Sequence, residues 1–462
     1  MIKIPVDVGI IYEGERIRGP DTQVEFGGPK VKYKAELTQV KPEKEIEDGK
    51  VEVVGKDIGD FEEGSKQPLG IYLEVYGKEI DSDLEPVIER RNHDFMNYIQ
   101  GVMHLNQRYD IWIRVSKEAK KKGLTFKHIG GALMDLFKKE LPFIQKMQIT
   151  FITDEKKVEE FYNKALKVYE SRDVRVRGMK DKDVEDFYAC TLCQSFAPNH
   201  ICMISPQRTS LCGAISWIDA SAAARVEPDG PIYKVVKGET IDEEKGEYSG
   251  VNDAVKEGSN GANERFQMYS MFDKPHTSCG CFEAIAFYIP EVDGIGVLDR
   301  NFKGETVNGL KFSTMASQSG GGIQTEGFLG FGLQWMHSDK FLSADGGWNR
   351  IAWMPSNVKE RMADAIPKEL FEKIPTENEV KGMEELKTFL KEKKHPLMSR
   401  QKEDIEEAPK EKAGETLDFP QGQEVISAPT LALPAAGGFR IILKNAKIHA
   451  EKVIIKKVDK KR

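Results

Sequence analysis

The sequence predicts a mixed α/β fold with two α/β domains and a small β-rich segment at the C-terminal end. In residues 1–175, segments with alternating apolar side chains lie between amphipathic segments, and strands that alternate with helices are typical of α/β domains. From 176 to 395, glycine-rich stretches separate short apolar segments. A third observation is a strongly charged stretch that follows residue 400.

Residues 1–175 form the first predicted domain, for which we expect a mixed or parallel sheet. Alternation of apolar side chains predicts strands at 70–77, 110–116 and 147–153. Apolar residues at helical spacing predict helices at 84–103, 127–141 and 156–171. Asp154 has the position and the side chain of an N-cap for the last of these helices.

Residues 176–395 form the second predicted domain, which contains every cysteine of the chain. Its last helix is predicted at 376–394, where apolar residues recur at helical spacing before His395-Pro396. The charged composition of 401–415 predicts a flexible linker within 396–423. Two short apolar segments in 424–462 predict a tethered β-rich module.

Composition limits the function classes. Hydrophobic residues make up 39% of the 462 residues, which indicates a globular protein. The formal net charge is −7, so nothing points to nucleic acid and we expect no nucleic-acid partner. No apolar run reaches the roughly 20 residues of a membrane span, and we expect neither a signal peptide nor a membrane partner. We therefore expect a cytoplasmic protein. In a reducing compartment, six cysteines favour metal binding or catalysis over disulfides.

Four of the cysteines have the spacing C-x2-C-x8-C-x9-C, at Cys190, Cys193, Cys202 and Cys212. Four thiolates satisfy either a tetrahedral zinc ion or a 4Fe–4S cluster. Structural zinc sites more often contain two C-x-x-C pairs, whereas this segment has one. Aromatic and apolar neighbours would keep water away from either kind of site. The spacing alone leaves both metals open.

The other two cysteines form Cys279-Gly280-Cys281. Two thiolates and the amide nitrogens of Gly280 and Cys281 can surround one metal in a plane. Because an amide nitrogen binds metal only without its proton, this arrangement requires an ion with a square-planar preference, namely Ni(II) or Cu(II). Glycine allows the backbone to fold tightly round such an ion. The alternatives are a redox-active pair of thiols or two small buried residues.

Together, the two cysteine segments resemble the catalytic region of acetyl-CoA synthase, and in particular the β-subunit family of the archaeal acetyl-CoA decarbonylase/synthase complex. The segments are CTLCQSFAPNHICMISPQRTSLCGAISWID (190–219) and SCGCFEAIAFYIPEVDGIGVLDRNF (278–302). The similarity extends to 14–28, 320–332 and 341–355. The longer bacterial form has an additional N-terminal domain that docks CO dehydrogenase, and we expect this chain to lack it.

The resemblance implies a site called the A-cluster. The ligands of its 4Fe–4S cluster would be Cys190, Cys193, Cys202 and Cys212. Cys193 would also bridge to a proximal nickel, whose other sulfur ligands would be Cys279 and Cys281. The same two thiolates would hold a distal nickel with the amide nitrogens of Gly280 and Cys281. Phe196 would lie over the proximal nickel, although without the resemblance a core aromatic residue is the favoured interpretation.

The activity implied by the resemblance is that of a CO-methylating acetyl-CoA synthase, an acyltransferase of anaerobic archaea in methanogenesis and the Wood–Ljungdahl pathway. Such an enzyme condenses CO, a methyl group from a corrinoid iron–sulfur protein and coenzyme A, and also catalyses the reverse reaction. CO dehydrogenase subunits would be further partners. Two alternatives from other classes are an electron-transfer protein with a 4Fe–4S cluster and a redox C-G-C pair, and a zinc-stabilised scaffold subunit.

Coenzyme A carries phosphates, so we expect its site to combine basic side chains with an aromatic ring. The first domain offers such residues at Arg90, Arg91, Arg108, Trp112 and Arg114. Solvated faces of helices and strands are the alternative. His200 and His276 lie near the cysteines in the sequence, and we expect them to support the ligands or the fold.

Overall fold

The computed structural model describes residues 3–108, 110–195 and 197–400. Most of the predicted linker, the predicted C-terminal module 424–462 and Phe196 therefore lie outside the described residues. The described residues form several mixed or antiparallel sheets with helices between them, which confirms the predicted mixed α/β class. Across these described ranges, no helix combines the length and apolar character needed to span a bilayer.

The strands up to residue 152 are β1 (Thr22–Gly27), β2 (Lys34–Val40), β3 (Val51–Val54), β4 (Ser65–Gln67), β5 (Leu69–Tyr76), β6 (Val102–Gln107), β7 (Asp110–Ser116) and β8 (Lys146–Ile152). The later strands are β9 (Asp186–Cys190), β10 (Cys202–Ile204), β11 (Ile232–Val236), β12 (Thr240–Asp242), β13 (Glu247–Tyr248), β14 (Ala284–Ile289), β15 (Gly294–Asp299), β16 (Phe328–Phe331) and β17 (Ile351–Trp353). The helices are α1 (Glu85–Asn97), α2 (Lys117–Lys121), α3 (Phe126–Glu140), α4 (Glu155–Val174), α5 (Trp217–Val226), α6 (Ser249–Gly258), α7 (Phe312–Ser319), α8 (Ser356–Arg361), α9 (Lys368–Phe371) and α10 (Met383–Glu392).

Two four-stranded sheets form the N-terminal part. One has the order β2-β5-β8-β3, with β5 and β8 antiparallel and both edge strands parallel to their neighbours. The other has the order β4-β1-β7-β6. Helix α3 packs against β3 and β8, and the Phe126 and Phe151 rings stack with their centroids 4.7 Å apart. The predicted strands 70–77, 110–116 and 147–153 correspond to β5, β7 and β8 and are confirmed.

The C-terminal part contains the sheets β10-β9-β11, β12-β13 and β16-β14-β15-β17. Two features of these sheets matter for the site. Strands β9 and β10 are antiparallel, with Cys190 opposite Cys202. Strands β14 and β15 are also antiparallel, with Ala284 opposite Asp299. The segments that precede β14 and follow β15 are therefore held side by side.

The predicted helices 127–141 and 156–171 correspond to α3 and α4, and the Asp154 side chain accepts a hydrogen bond from the Lys157 amide at 3.1 Å, as an N-cap does. The prediction of a helix over 84–103 is wrong beyond Asn97. The Asn97 side chain donates to the His93 carbonyl and accepts from the His104 amide, which joins the end of α1 to β6. Gly101 then turns the chain with a φ of 79°.

The helix predicted over 376–394 begins later than expected. The corresponding helix, α10, starts at Met383. The side chain of Glu379 accepts hydrogen bonds from the amide and the hydroxyl of Thr376, and these bonds hold residues 376–379 in a local turn. Side-chain bonds of this kind compete with helix formation. The periodic apolar residues before Met383 are therefore not part of the helix.

One hydrophobic cluster contains residues from both sides of the predicted boundary at 175/176. Ile88 and Leu141 come from the first predicted domain, and Leu192 and Ala223 from the second; these residues also line one small cavity. The described residues belong to one compact unit of the chain. The positions of the domain boundaries stay a prediction.

Candidate metal centre

The first cysteine segment is shaped by the β9–β10 pair. Cys190 ends β9 and Cys202 begins β10, so the chain between them, which contains Cys193, is a loop at the end of two paired strands. Cys212 lies in the turn that follows β10, where the Gly213 amide donates to the Ser210 carbonyl at 2.9 Å. Gly213 has a φ of 73°, which glycine adopts without strain. All four thiols are largely buried.

The second cysteine segment precedes β14. Gly280 has a φ of 101°, and a β-carbon at this position would meet no other atom within 4 Å. Backbone conformation, rather than lack of space, is therefore what favours glycine here. The Cys281 amide donates to the Cys279 sulfur at 3.3 Å, so a thiol and an amide of this segment already lie close together.

The two segments meet at three sulfur atoms. The Sγ atoms of Cys193, Cys279 and Cys281 all lie within 4.8 Å of one another. This is the convergence that a thiolate shared between two metals would require at Cys193. The cysteines are free thiols, so none of them is held in a disulfide.

The electrostatics of these thiols favour bound cations. Burial raises the pKa of the Cys190 thiol well above its ordinary value, and the neighbouring thiolates of Cys202 and Cys193 raise it further. Burial is also the main cause of a strongly raised pKa at Cys202. Several buried thiolates are therefore unfavourable on their own, and metal cations would supply the missing positive charge. The donor set fits soft, sulfur-binding metals such as zinc, nickel and iron–sulfur clusters.

Arg90 is a buried cation beside this sulfur group. It lies on α1, is only 2% exposed, and donates one N–H to Asp94 at 2.8 Å and another to the Cys193 sulfur at 3.6 Å. Burial alone would lower the pKa of Arg90, but Asp94 and the thiolates of Cys193 and Cys212 raise it well above the ordinary value. The guanidinium therefore stays charged beside the sulfur atoms.

Two buried histidines hold the cysteine segments together. The Nε2 atom of His276 accepts a hydrogen bond from the Met203 amide at 2.9 Å, so its proton is on Nδ1, which donates to the Thr277 carbonyl at 2.6 Å. His200 Nδ1 lies 3.0 Å from the Thr277 hydroxyl. Burial lowers the pKa of His200 to about 4, so this ring is neutral. Both rings link the first segment to the residues just before Cys279.

A glycine-rich segment covers both cysteine segments. The Gly322 amide donates to the Ser278 carbonyl at 2.9 Å. A β-carbon on Gly322 would lie 2.7 Å from the backbone nitrogen of His200, and one on Gly320 would lie 3.5 Å from the Gly280 Cα. The glycines therefore allow backbone to approach backbone round the thiols.

Two of the arginines predicted to bind coenzyme A, Arg91 and Arg108, have partners within the protein. The half-buried Arg91 places its guanidinium over the Phe95 ring, 5.1 Å from the centroid. Arg108 is buried in an ion pair with Asp173. These contacts do not test coenzyme A binding, which stays a prediction for both arginines.

Trp112 and Arg114, two of the residues predicted to bind coenzyme A, are in contact with each other. The Arg114 guanidinium lies 4.5 Å from the centre of the Trp112 ring. Its Nε atom also donates to Glu25 at 2.7 Å. Arg90, by contrast, lies at the cysteines. Sequence reasoning missed this position, although the i, i+4 spacing of Arg90 and Asp94 is a signal for a helical ion pair.

Fold and site together define an α/β protein with a buried thiol site that could hold metal. Comparison with known sequences gives the family. Residues 169–402 match the family described as the C-terminal part of the ACS/CODH beta subunit, and residues 4–158 match the CO dehydrogenase/acetyl-CoA synthase complex beta subunit. The chain therefore belongs to the β-subunit family of this complex, as the sequence resemblance predicts. The two matches meet between 158 and 169, within α4.

Similar proteins come from methanogenic archaea. The acetyl-CoA decarbonylase/synthase complex subunit beta of Methanothermobacter thermautotrophicus is 52% identical, and the match covers 98% of this chain and 99% of the relative. The protein of the same name from Methanopyrus kandleri is 51% identical, with 99% and 98% covered. A solved C-terminal domain of an acetyl-coenzyme A synthase α subunit is 39% identical, covering 26% of this chain and 96% of that chain, with a TM-score of 0.25.

Proposed function

We propose that this subunit is the CO-methylating acetyl-CoA synthase of its complex. It would join CO, a methyl group and coenzyme A into acetyl-CoA, an acyl transfer to a thiol, and catalyse the reverse reaction. The observation that supports this most directly is the convergence of Cys193 with Cys279 and Cys281. A mononuclear zinc or iron–sulfur site formed by the first segment alone would not require the second segment.

The donor set suggests how the metals would be held. A 4Fe–4S cluster would take Cys190, Cys193, Cys202 and Cys212. A proximal nickel would take the three converging thiolates, and a distal nickel would take Cys279, Cys281 and the amide nitrogens of Gly280 and Cys281. When bound, sulfur-ligated nickel would supply a soft, electron-rich site for forming a carbon–carbon bond between methyl and CO.

The protein residues would hold, shield and balance this site. Burial of the thiols excludes water, and His200 and His276 fix the two segments against each other. Arg90 would offset part of the thiolate charge through its contact with Cys193. We further propose that Phe196, which lies outside the described residues, controls access of CO to the proximal nickel.

The partners follow from the same proposal. The family description names a complex with CO dehydrogenase, so CO dehydrogenase subunits would supply CO. A corrinoid iron–sulfur protein would donate the methyl group. Coenzyme A would bind as substrate, and the residues proposed for it from the sequence are Arg90, Arg91, Arg108, Trp112 and Arg114. We also propose a cytoplasmic location, the reducing compartment in which cysteines are kept as thiols.

Metal analysis of the anaerobically purified chain tests the proposal. We expect about four iron atoms per chain, as a 4Fe–4S cluster requires, and about two nickel ions at the planar and three-thiolate positions. Cys279→Ser should lose nickel and keep iron, whereas Cys202→Ser, in the other segment, should lose iron. Iron without nickel would favour the electron-transfer alternative, and zinc alone would favour the scaffold. Either result would contradict an acetyl-CoA synthase.

A further inference from the structure

Arg300 lies next to the Cys279-Gly280-Cys281 segment because of the β14–β15 pairing. Asp299, the last residue of β15, is opposite Ala284, the first residue of β14. The next pair continues this contact, since the Arg300 amide donates to the Glu283 carbonyl at 3.2 Å. The hairpin therefore fixes the backbone of Arg300 a few residues from Gly280.

The Arg300 side chain reaches back to the cysteine segment. Its Nη2 atom donates to the Gly280 carbonyl oxygen at 2.6 Å. The guanidinium also lies over the ring of Phe312, the first residue of α7, 5.2 Å from the centroid. Because Phe312 is buried and helical, it gives the guanidinium a rigid support.

The Gly280 carbonyl and the Cys281 amide belong to the same peptide unit. Peptide resonance couples this oxygen to this nitrogen. When a metal replaces the hydrogen on the Cys281 nitrogen, that proton passes to solvent and the negative charge is shared with the Gly280 oxygen. A cation that donates to this oxygen stabilises the deprotonated, negatively charged peptide unit more than the neutral one. The contact therefore favours metal ions that bind through the amide nitrogen.

We propose that Arg300 is a positioning residue that selects the metal held by Cys279-Gly280-Cys281. It favours a planar ion bound through amide nitrogen, Ni(II), over a tetrahedral ion bound through thiolates alone, such as Zn(II). Zinc has no geometric preference that would repay the loss of an amide proton. This inference rests on the proposed role of the segment as a nickel chelate, and extends it to the residue that controls metal selectivity.

Competition between nickel and zinc tests this role. The metal-free full chain is titrated anaerobically with Ni(II) in the presence of Zn(II), and the visible absorption of planar, amide-bound nickel is followed. Arg300→Gln removes the charge, and Arg300→Lys keeps it. Lys303→Gln is the matched control, since Lys303 is an exposed cation three residues away whose ammonium donates to the Arg300 carbonyl. In a parallel sample, the first cysteine segment is loaded with iron before the titration. The iron content of that sample shows whether this segment is intact in each variant.

We expect Arg300→Gln to lower the nickel-over-zinc preference about 10- to 100-fold, the usual effect of losing a group that supports a metal ligand. Arg300→Lys should fall between Arg300→Gln and the wild type, and Lys303→Gln should match the wild type. An unchanged preference in Arg300→Gln would overturn the proposal. So would equal loss of iron and nickel in both Arg300 variants, because that shows a general role in folding. Failure of the wild type itself to form planar nickel would instead refute the proposed function.

Discussion

Replacing Arg90 tests whether the buried ion pair on α1 stabilises the site. The side chains of Arg90 and Asp94 are 2% and 6% exposed, with 2.8 Å between the bonded atoms. Arg90→Met would leave the Asp94 carboxyl buried without its partner, a change that typically costs about 3–5 kcal/mol. Burial already raises the pKa of Asp94, so the carboxyl can take up a proton when its partner is lost. We therefore expect about 3 kcal/mol, the lower end of this range.

The free energy of unfolding is measured by urea titration of the metal-free chain under reducing conditions, followed by circular dichroism. Arg91→Met is the matched control, since Arg91 is the next residue on α1 and lies only half-buried over Phe95. Loss of that cation–π contact should cost about 1 kcal/mol or less. The double variant Arg90→Met, Asp94→Leu should recover most of the lost stability, because it removes both buried charges of this pair.

A second measurement separates the ion pair from the contact with sulfur. Asp94→Asn removes the carboxylate but keeps the Arg90 N–H that donates to Cys193. We expect this variant to keep its nickel and iron, while Arg90→Met and the double variant bind nickel more weakly. Equal stability and equal metal content in Arg90→Met and Arg91→Met would refute this account of Arg90.

Three further predictions concern the metal site and the tail. Gly280→Pro should lose one nickel ion, because proline has no amide proton to give up and cannot adopt a φ of 101°; retention of two nickel ions would contradict the planar chelate. Phe196→Ala should change inhibition by CO more than metal content, and unchanged inhibition with unchanged turnover would indicate a core role. We also propose that the module 424–462, tethered by the charged segment 401–415, helps attach the protein to its complex. Deletion of 400–462 should therefore preserve metal content and acetyl exchange by the isolated protein while reducing its co-purification with CO dehydrogenase subunits. Loss of metal or undiminished assembly would contradict the tethering proposal.

Local sequence patterns were sufficient to predict much of the fold. The strand 147–153 and the helix 156–171 were predictable because alternation, helical periodicity and the N-cap at Asp154 are all features of neighbouring residues. The end of α1 was not, because the Asn97 side chain stops the helix through bonds to His104, which belongs to the next strand. Periodic apolar residues continue beyond that point, and periodicity alone gives no sign of such a bond.

The candidate site, like the fold, was predictable from the sequence only in part. The metal donors were predictable as residue types, since cysteine spacing and the C-G-C segment are visible in the sequence. The positions of Arg90 and Arg300 were not, because each reaches the cysteines only through tertiary packing. Arg90 is 103 residues from Cys193, and Arg300 reaches Gly280 only because β14 pairs with β15. Arg90 looked like a phosphate ligand in the sequence because nothing local links it to a sulfur atom.

The pairing of β9 with β10 has a consequence for handling oxygen. Opposite residues of antiparallel strands have Cα atoms about 4.5–5.5 Å apart, which is within the span of a disulfide. Cys190 and Cys202 are such a pair. Oxidation would therefore compete with any bound metal for these two thiols. In a chain exposed to an oxidant before it receives metal, we expect a cross-strand disulfide, which would remove two of the four thiols of the first cysteine segment in one event.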